Sequence, residues 1–109
     1  MRTNRSSRLP LVLAAALLLC AAWTVGAADL SNGARLYEVH CAQCHGKSGE
    51  GVMPGAPKFN RGERLLQPDP VLMATILRGK NAMPPFLGVL REREILDVIA
   101  HLRTLQKFN

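Results

Sequence analysis

Three segments of the chain carry apolar residues at the spacing of an α-helix. In the first, an apolar stripe recurs every three or four residues, at Leu30, Ala34, Tyr37 and Cys41. Either Asp29 or Ser31 can cap the amino end, because a short side-chain oxygen accepts a hydrogen bond from the first free backbone N–H groups. This segment therefore predicts an amphipathic helix that ends close to Cys41.

The second and third helical segments lie in the carboxy-terminal half. Asp69-Pro70 opens the second, since proline suits the first helical turn, and Gly79 ends it. The third has one apolar face, formed by Ile95, Val98, Ile99, Leu102 and Leu105. Four charged residues are expected to stay off that face, namely Arg93, Asp97, Arg103 and Lys107. Both patterns predict helices that bury one side in the domain.

A long connection rich in turn residues separates the first two helices. The segment from Gly46 to Gly62 has five glycines and two prolines among seventeen residues, which predicts loop rather than sheet. No alternating strand pattern occurs elsewhere, so the predicted fold class is all-α with long irregular connections. Such long loops are uncommon in a small domain, and they indicate a chain that wraps around a group other than protein.

The first 28 residues have the composition of a secretory leader. The range Leu9–Ala28 carries no charge, and its apolar part, Leu11–Ala22, precedes the small residues around Ala27 and Ala28. Three arginines precede this stretch, at Arg2, Arg5 and Arg8. We expect cleavage near Ala27 or Ala28; the alternative is an uncleaved anchor, because twenty residues at about 1.5 Å each span roughly 30 Å of hydrocarbon. The sequence predicts a leader over residues 1–28 and one exported, periplasmic domain over residues 29–109.

The charge of the chain belongs largely to this leader. The formal net charge is +6, but residues 29–109 hold eleven Lys and Arg against eight Asp and Glu. A modest excess of this size does not predict a nucleic-acid partner. The sequence also shows no carboxylate pair, Ser/His/Asp set or glycine-rich phosphate loop, so it gives no sign of the common enzyme chemistries.

Cys41-Ala42-Gln43-Cys44-His45 has the C-x-x-C-H spacing of covalent haem attachment. At the end of a helix, this spacing places both sulfurs for thioether bonds to the two vinyl groups of one porphyrin. The adjacent His45 can then bind the iron from the same face. A domain of this size also needs a cofactor, metal or disulfide for stability. We therefore predict one covalently bound haem c, held by Cys41 and Cys44, with His45 as an iron ligand.

Three other uses of the cysteines remain open. A zinc site needs four ligands in separated pairs, but here all the nearby ligands are crowded into residues 40–45. A thioredoxin-type redox pair needs a βαβ context, which the pattern does not predict. A plain structural disulfide would leave His45 without a role. The combined pattern favours haem over all three.

The second axial ligand is expected to be Met83. It lies in an irregular segment after the second helix, where Pro84 and Pro85 stiffen the backbone. The other candidates are Met53, Met73 and His101. Met73 lies within a helical apolar run, where methionine usually fills the core, and Met53 follows His45 by only eight residues. His101 lies beside the apolar face of the last helix and is more easily explained by packing.

With these motifs, residues 29–108 resemble the class I c-type cytochromes, specifically the short bacterial mono-haem type. The matching pieces are residues 33–37, 41–46, 49–59 and 83–86, and the final helix over 94–105. The resemblance implies a cytochrome c fold, with three main helices and long loops wrapped around one covalently bound haem. It also implies an electron-transfer function and no enzymatic activity, with Met83 completing the iron coordination.

The resemblance assigns roles to residues outside the haem motif. Gly33 and Tyr37 should cross the last helix near Ile95, Val98 and Ile99, with Gly33 allowing close approach. The Pro57 carbonyl should accept a hydrogen bond from Nδ1 of His45, although Pro57 can equally be a turn residue. Two departures are His101, where the family often has an aromatic residue, and Arg91, which replaces the usual Ser or Asp N-cap while Glu94 is retained.

Iron bound by histidine and methionine has no open site, which predicts outer-sphere electron transfer with redox protein partners. We expect a monomer that meets the membrane only if the leader stays uncleaved. Four cations either surround the haem edge and steer an acidic partner or are ordinary solvated residues, namely Lys47, Lys58, Arg78 and Lys80.

One alternative to this electron carrier is a fixed electron-entry subunit of a larger dehydrogenase, reductase or oxidase. Another is a haem sensor or enzyme with a displaceable distal ligand.

Overall fold

The computed structural model describes residues 26–107, so most of the predicted leader lies outside the described residues. Within that range the elements are α1 (Leu30–His40), α2 (Ala42–His45), a 3₁₀ turn (Phe59–Arg61), α3 (Asp69–Arg78) and α4 (Glu92–Leu105). The described part of the chain forms no β-strand, and its only extended pairing is an isolated bridge between Lys80 and Met83. The predicted all-α class and its three main helices are confirmed.

Helix α1 begins as predicted but turns a different face to the core. Asp29, not Ser31, is the N-cap, and its side chain accepts a hydrogen bond from the backbone N–H of Asn32 at 2.9 Å. The predicted stripe is wrong at its first position, because Leu30 is 51% exposed. The buried residues of the helix are Gly33, Leu36 and Tyr37. The stripe is therefore rotated toward Leu36, which the sequence pattern did not include.

The rotation of α1 follows from its contact with α4. Gly33 lies so close to α4 that a Cβ atom there would stand 2.0 Å from the backbone oxygen of Asp97. The predicted close crossing of the two helices is confirmed. The core around this crossing comprises Leu36, Tyr37, Ala42, Phe59, Leu65, Leu72, Phe86, Leu90, Ile95, Val98, Ile99 and Leu102.

Helix α4 buries the predicted apolar face, but one of its charged residues was misplaced. Asp97 was expected to stay off that face, yet it is only 4% exposed. Its carboxylate accepts hydrogen bonds from the backbone N–H of Asp29 at 2.8 Å and from Nδ2 of Asn32 at 2.9 Å. A carboxylate can be buried when such donors replace water. The sequence pattern missed it because both donors lie at the amino end of α1, at its N-cap and in its first turn, more than sixty residues away.

The missing Ser or Asp cap of α4 is replaced by a different arrangement. The backbone N–H of Arg91 donates to Oε2 of Glu94 at 2.9 Å, and the Arg91 guanidinium donates to Oε1 at 3.0 Å. These hydrogen bonds lower the pKa of Glu94 to about 2. Glu94 thus fixes the first turn of α4 without a short polar side chain at the N-cap.

Helix α3 has the predicted bounds and is tied to α4 by one arginine. It starts at Asp69 after Pro68 and ends before Gly79, which has a positive φ of +72°. Arg103 of α4 pairs with the Asp69 carboxylate and also donates to the backbone oxygen of Gln67 at 3.1 Å. This arginine therefore joins the segment before α3 to the last helix.

Candidate cofactor site

The four residues predicted to hold the cofactor, Cys41, Cys44, His45 and Met83, all line one cleft. The cleft has a volume of about 420 Å³, within the range of roughly 300–1,000 Å³ typical of ligand sites. Its walls come from α1 through α4 and from the loops between them. The apolar wall residues include Leu72, Ile76, Phe86, Leu90, Val98 and Leu102. A large apolar group with thiol and imidazole anchors matches this lining.

The C-x-x-C-H segment forms a short helical turn of its own. Helix α1 stops at Cys41, whose N–H still bonds the Tyr37 carbonyl at 2.8 Å. The Cys41 carbonyl then accepts from the N–H groups of Cys44 at 3.2 Å and His45 at 2.9 Å. Residues three apart on a helical turn share one face, so both thiols are presented to the cleft together.

The two cysteine side chains line the cleft and form no disulfide with each other. Burial, with a smaller contribution from Cys44, raises the pKa of the Cys41 thiol to about 11. Among the residues that the structure describes, no group of three or more metal-binding side chains occurs. The geometry thus gives no support to the zinc and structural-disulfide alternatives.

His45 is buried beneath the cleft and its ring stacks on Phe59, with centroids 4.6 Å apart. Burial lowers its pKa, which favours the neutral imidazole that binds metals, while the Pro57 carbonyl acts in the opposite direction. Nδ1 of His45 is buried, and the Pro57 carbonyl acts on the imidazole in the direction expected of a hydrogen bond, although the two groups do not meet strict hydrogen-bond geometry. The imidazole is held by packing and remains available for a ligand in the cleft.

A narrow turn holds Met83 at the cleft wall. Lys80 and Met83 exchange backbone hydrogen bonds of 3.1 and 3.0 Å, and Asn81 between them has a positive φ of 54°. Gly79 is required beneath this turn, because a Cβ there would lie 2.5 Å from the backbone oxygen of Met83. The prolines were the predicted source of stiffness, but this turn also fixes the methionine.

The chain beyond Met83 is docked on the end of α3. The N–H groups of Phe86 and Leu87 donate to the carbonyls of Ile76 and Leu77, each at 3.1 Å. These carbonyls belong to the last helical turn and have no partner within the helix. The segment that carries Met83 is therefore anchored at both ends.

The other three candidate ligands lie in less suitable places than Met83. Met53 lines the cleft but is 40% exposed, and its N–H bonds the Cys44 carbonyl at 2.9 Å, on the side of the C-x-x-C-H turn. Met73 packs against the core and His101 contacts Tyr37, and neither lines the cleft. This placement supports Met83 as the partner of His45.

Sequence reasoning missed several features around the cleft. Tyr37 was expected only to pack on α4, yet its hydroxyl also donates to the Gly46 carbonyl at 2.7 Å and ties α1 to the end of α2. Burial raises the pKa of this hydroxyl, which keeps it a donor. The signal was available, because a buried tyrosine usually finds a partner for its hydroxyl. The polar lining residues that were missed are His40, Arg64, Gln67 and Thr75.

Of the four cations that could either surround the cofactor edge or be ordinary solvated residues, only Lys80 lines the cleft. Lys47 pairs with Glu38 at 3.0 Å, and Arg78 lines a separate shallow groove beside α3. Arg64, which was not among the four, does line the cleft. The cations of the cleft are therefore Lys80 and Arg64, and the other three candidates lie outside its lining.

His101 should make the stability of the domain depend on pH. Its ring lies 5.2 Å from that of Tyr37, and burial lowers its pKa from the usual 6.5. Protonation therefore favours the unfolded chain, so the contribution is complete above about pH 6.5 and is lost as the pH falls through the lower folded value. In thermal unfolding between about pH 7 and 5, we expect His101→Phe to lose less stability than the wild type. Parallel curves for the two proteins would contradict this role.

Comparisons with known proteins agree with this geometry. The family described as cytochrome c oxidase, cbb3-type, subunit III, matches residues 28–102. Cytochrome c6 of Thermosynechococcus vestitus is 38% identical over 94 residues, which cover 83% of this chain and 82% of that protein.

Two solved structures share the fold. A c-type cytochrome named KustC0563 is 30% identical with a TM-score of 0.64, over 69% of this chain and 98% of that one. Cytochrome c6 of the diatom Phaeodactylum tricornutum is 28% identical with a TM-score of 0.57, over 70% of this chain and 92% of that one. The chain therefore belongs to this family of c-type cytochromes and is a small class I electron-transfer protein with one covalently attached haem c.

Proposed function

We propose that this protein is a periplasmic carrier of single electrons, in which Cys41 and Cys44 would hold the haem covalently and His45 and Met83 would hold its iron. The observation that carries the proposal is the meeting of the C-x-x-C-H turn and Met83 in one apolar cleft, although they lie thirty-eight residues apart in sequence. The bound haem supplies reversible one-electron chemistry between Fe(III) and Fe(II).

The residues around the cleft define what the protein contributes to that chemistry. The apolar walls, among them Leu72, Phe86 and Val98, exclude water and disfavour the extra positive charge of the oxidised iron. A thioether ligand acts in the same direction, so both features raise the reduction potential. If His45 and Met83 both hold the iron, no site on the metal would remain for a substrate, which supports a carrier rather than an enzyme.

The attachment residues are tested by covalent haem retention. The exported wild-type protein should keep peroxidase-active haem on denaturing electrophoresis, with a mass one haem above that of the apo-chain. We expect Cys41→Ser or Cys44→Ser to leave a single thioether bond and much less holoprotein, and the double variant to retain no haem. Ser48→Ala, an exposed change in the adjacent loop, is the matched control and should behave as wild type.

Haem that extracts from the wild-type protein into acidic butanone would overturn the covalent assignment. Retention of haem by the double serine variant would overturn the choice of these two cysteines.

The predicted leader supports export to the periplasm. No helix in residues 26–107 is long and apolar enough to cross a membrane.

Lys80 and Arg64 at the cleft support a redox partner with acidic groups around its own donor or acceptor site. Electron transfer to such a partner should slow as ionic strength rises, because salt screens the attraction between the two proteins.

A fixed electron-entry subunit is the second candidate, and the matching family's description as an oxidase subunit favours it. The two functions use the same haem chemistry and differ only in assembly. Purification from the native membrane without high salt distinguishes them, since a subunit copurifies with its oxidase at fixed stoichiometry and a carrier is recovered alone.

A further inference from the structure

Asp97 is a buried carboxylate whose hydrogen-bond donors are neutral. It accepts from the Asp29 N–H and from the Asn32 side-chain amide, at 2.8 and 2.9 Å. The cation beside it, Arg93, has Nε 3.8 Å from Oδ1. The guanidinium of Arg93 is also engaged elsewhere, because it donates to the carbonyl of Gly26 at 2.8 Å and to that of Ala27. The two neutral donors keep the buried carboxylate charged, and a cation in direct hydrogen-bond contact would stabilise it further.

The donor to Asp97 lies at the start of the exported domain. Cleavage of the leader after Ala28 would free the nitrogen of Asp29, and cleavage after Ala27 would free that of Ala28. Peptide hydrolysis by a leader-cleaving protease adds the hydroxyl of water to the carbonyl carbon and its hydrogen to the nitrogen. The amine then takes a second proton and becomes an ammonium group at neutral pH.

We propose that the Asp97 carboxylate is the binding site for the α-ammonium group that leader removal creates. After a cut at Ala28, the ammonium occupies the position of the Asp29 nitrogen, 2.8 Å from Oδ1. After a cut at Ala27, it lies one residue further, while the Asp29 N–H keeps its hydrogen bond. Either cut removes the Gly26 and Ala27 carbonyls that engage Arg93. The processed domain thus gains a hydrogen-bonded cation at Asp97, where the precursor has only the more distant Arg93.

The surrounding charges favour this arrangement. An ammonium group at the amino end of α1 meets the positive end of the helix dipole and needs a nearby anion. Asp29, which caps α1, and Asp97 on α4 are two such anions, and Glu94 adds a more distant negative charge. The positive charge of Arg93 repels the ammonium group and opposes this attraction. The two aspartates therefore hold the new terminus against the crossing of α1 and α4. This role is independent of the haem ligands.

The test is the pKa of the α-amine in the native, exported holoprotein. Mass spectrometry first identifies the amino-terminal residue, and reductive methylation with a ¹³C label then reports the amine titration by NMR. We expect a pKa at least about one unit above the usual 7.7–8.0, because the carboxylate favours the charged amine. Asp97→Asn should remove most of that increase and lower the thermal midpoint by several degrees. Glu92→Gln, an exposed change on the same helix, should alter neither.

Three results would overturn the proposal. One is a wild-type amine that titrates in its usual range, which decides the matter even if Asp97→Asn does not fold. Another is a raised pKa that persists in Asp97→Asn, since Asp29 alone would then be its source. The third is native protein that retains its leader, because no ammonium group then forms at this site.

Discussion

Replacing Met83 with alanine should lower the reduction potential by on the order of 100 mV, because axial ligands shift haem potentials over a range of roughly 0.8 V. The oxidised variant should also lose the weak near-infrared band of a thioether-iron bond. Carbon monoxide should bind the reduced variant rapidly, since it no longer has to displace a ligand. In the wild type, Met83 is held by its turn with Lys80 and by the docking of Phe86 on α3. Redox titration, near-infrared absorption and carbon monoxide binding measure the three effects.

Two other methionines are the matched controls. Met53→Ala removes a thioether from the exposed edge of the same cleft, and Met73→Ala removes one from the core beside it. Both should leave the near-infrared band in place and change the potential far less than Met83→Ala. Rapid, stoichiometric carbon monoxide binding by the wild type would instead favour a haem sensor or enzyme. Loss of the band in Met53→Ala alone would move the ligand to residue 53.

The features that sequence predicted well are those fixed by residues close together in the chain. Helix α3 has its predicted bounds because Asp69-Pro70 and Gly79 act on their own backbone. The C-x-x-C-H turn likewise needs only one helical turn to bring both thiols to one side. The fold class followed from the absence of any alternating pattern and is confirmed by the helices of the described chain.

The errors arose where distant segments meet. Asp97 was placed outside the buried face because its donors at the amino end of α1 cannot be identified from the pattern of α4. Leu30 was placed in the core because a stripe read along α1 does not reveal which of its faces meets α4. Arg64 was missed at the cleft because it follows a long loop whose path is set by tertiary packing. The burial of charged groups and the paths of long loops therefore could not be predicted from the sequence alone.

Gly33→Ala should destabilise the domain by about 3 kcal/mol, even though alanine is the better helix former by roughly 1 kcal/mol. The added Cβ would stand 2.0 Å from the backbone oxygen of Asp97 and 2.5 Å from its carbonyl carbon. Backbone atoms inside a helix cannot move aside alone, so α1 and α4 must separate as units and loosen the contacts of Tyr37 and Ile99. In a domain of this size the thermal midpoint should fall by roughly 15 °C.

Thermal and denaturant unfolding of the holoprotein measure this loss. Ser31→Ala is the matched control, since it adds helix propensity at an exposed position of the same helix and should change stability by less than about 0.5 kcal/mol. The midpoint of Gly33→Ala should stay low at every pH, because the clash involves no titrating group. A variant as stable as the wild type would contradict this close crossing, in which a Cβ at residue 33 stands 2.0 Å from the backbone oxygen of Asp97.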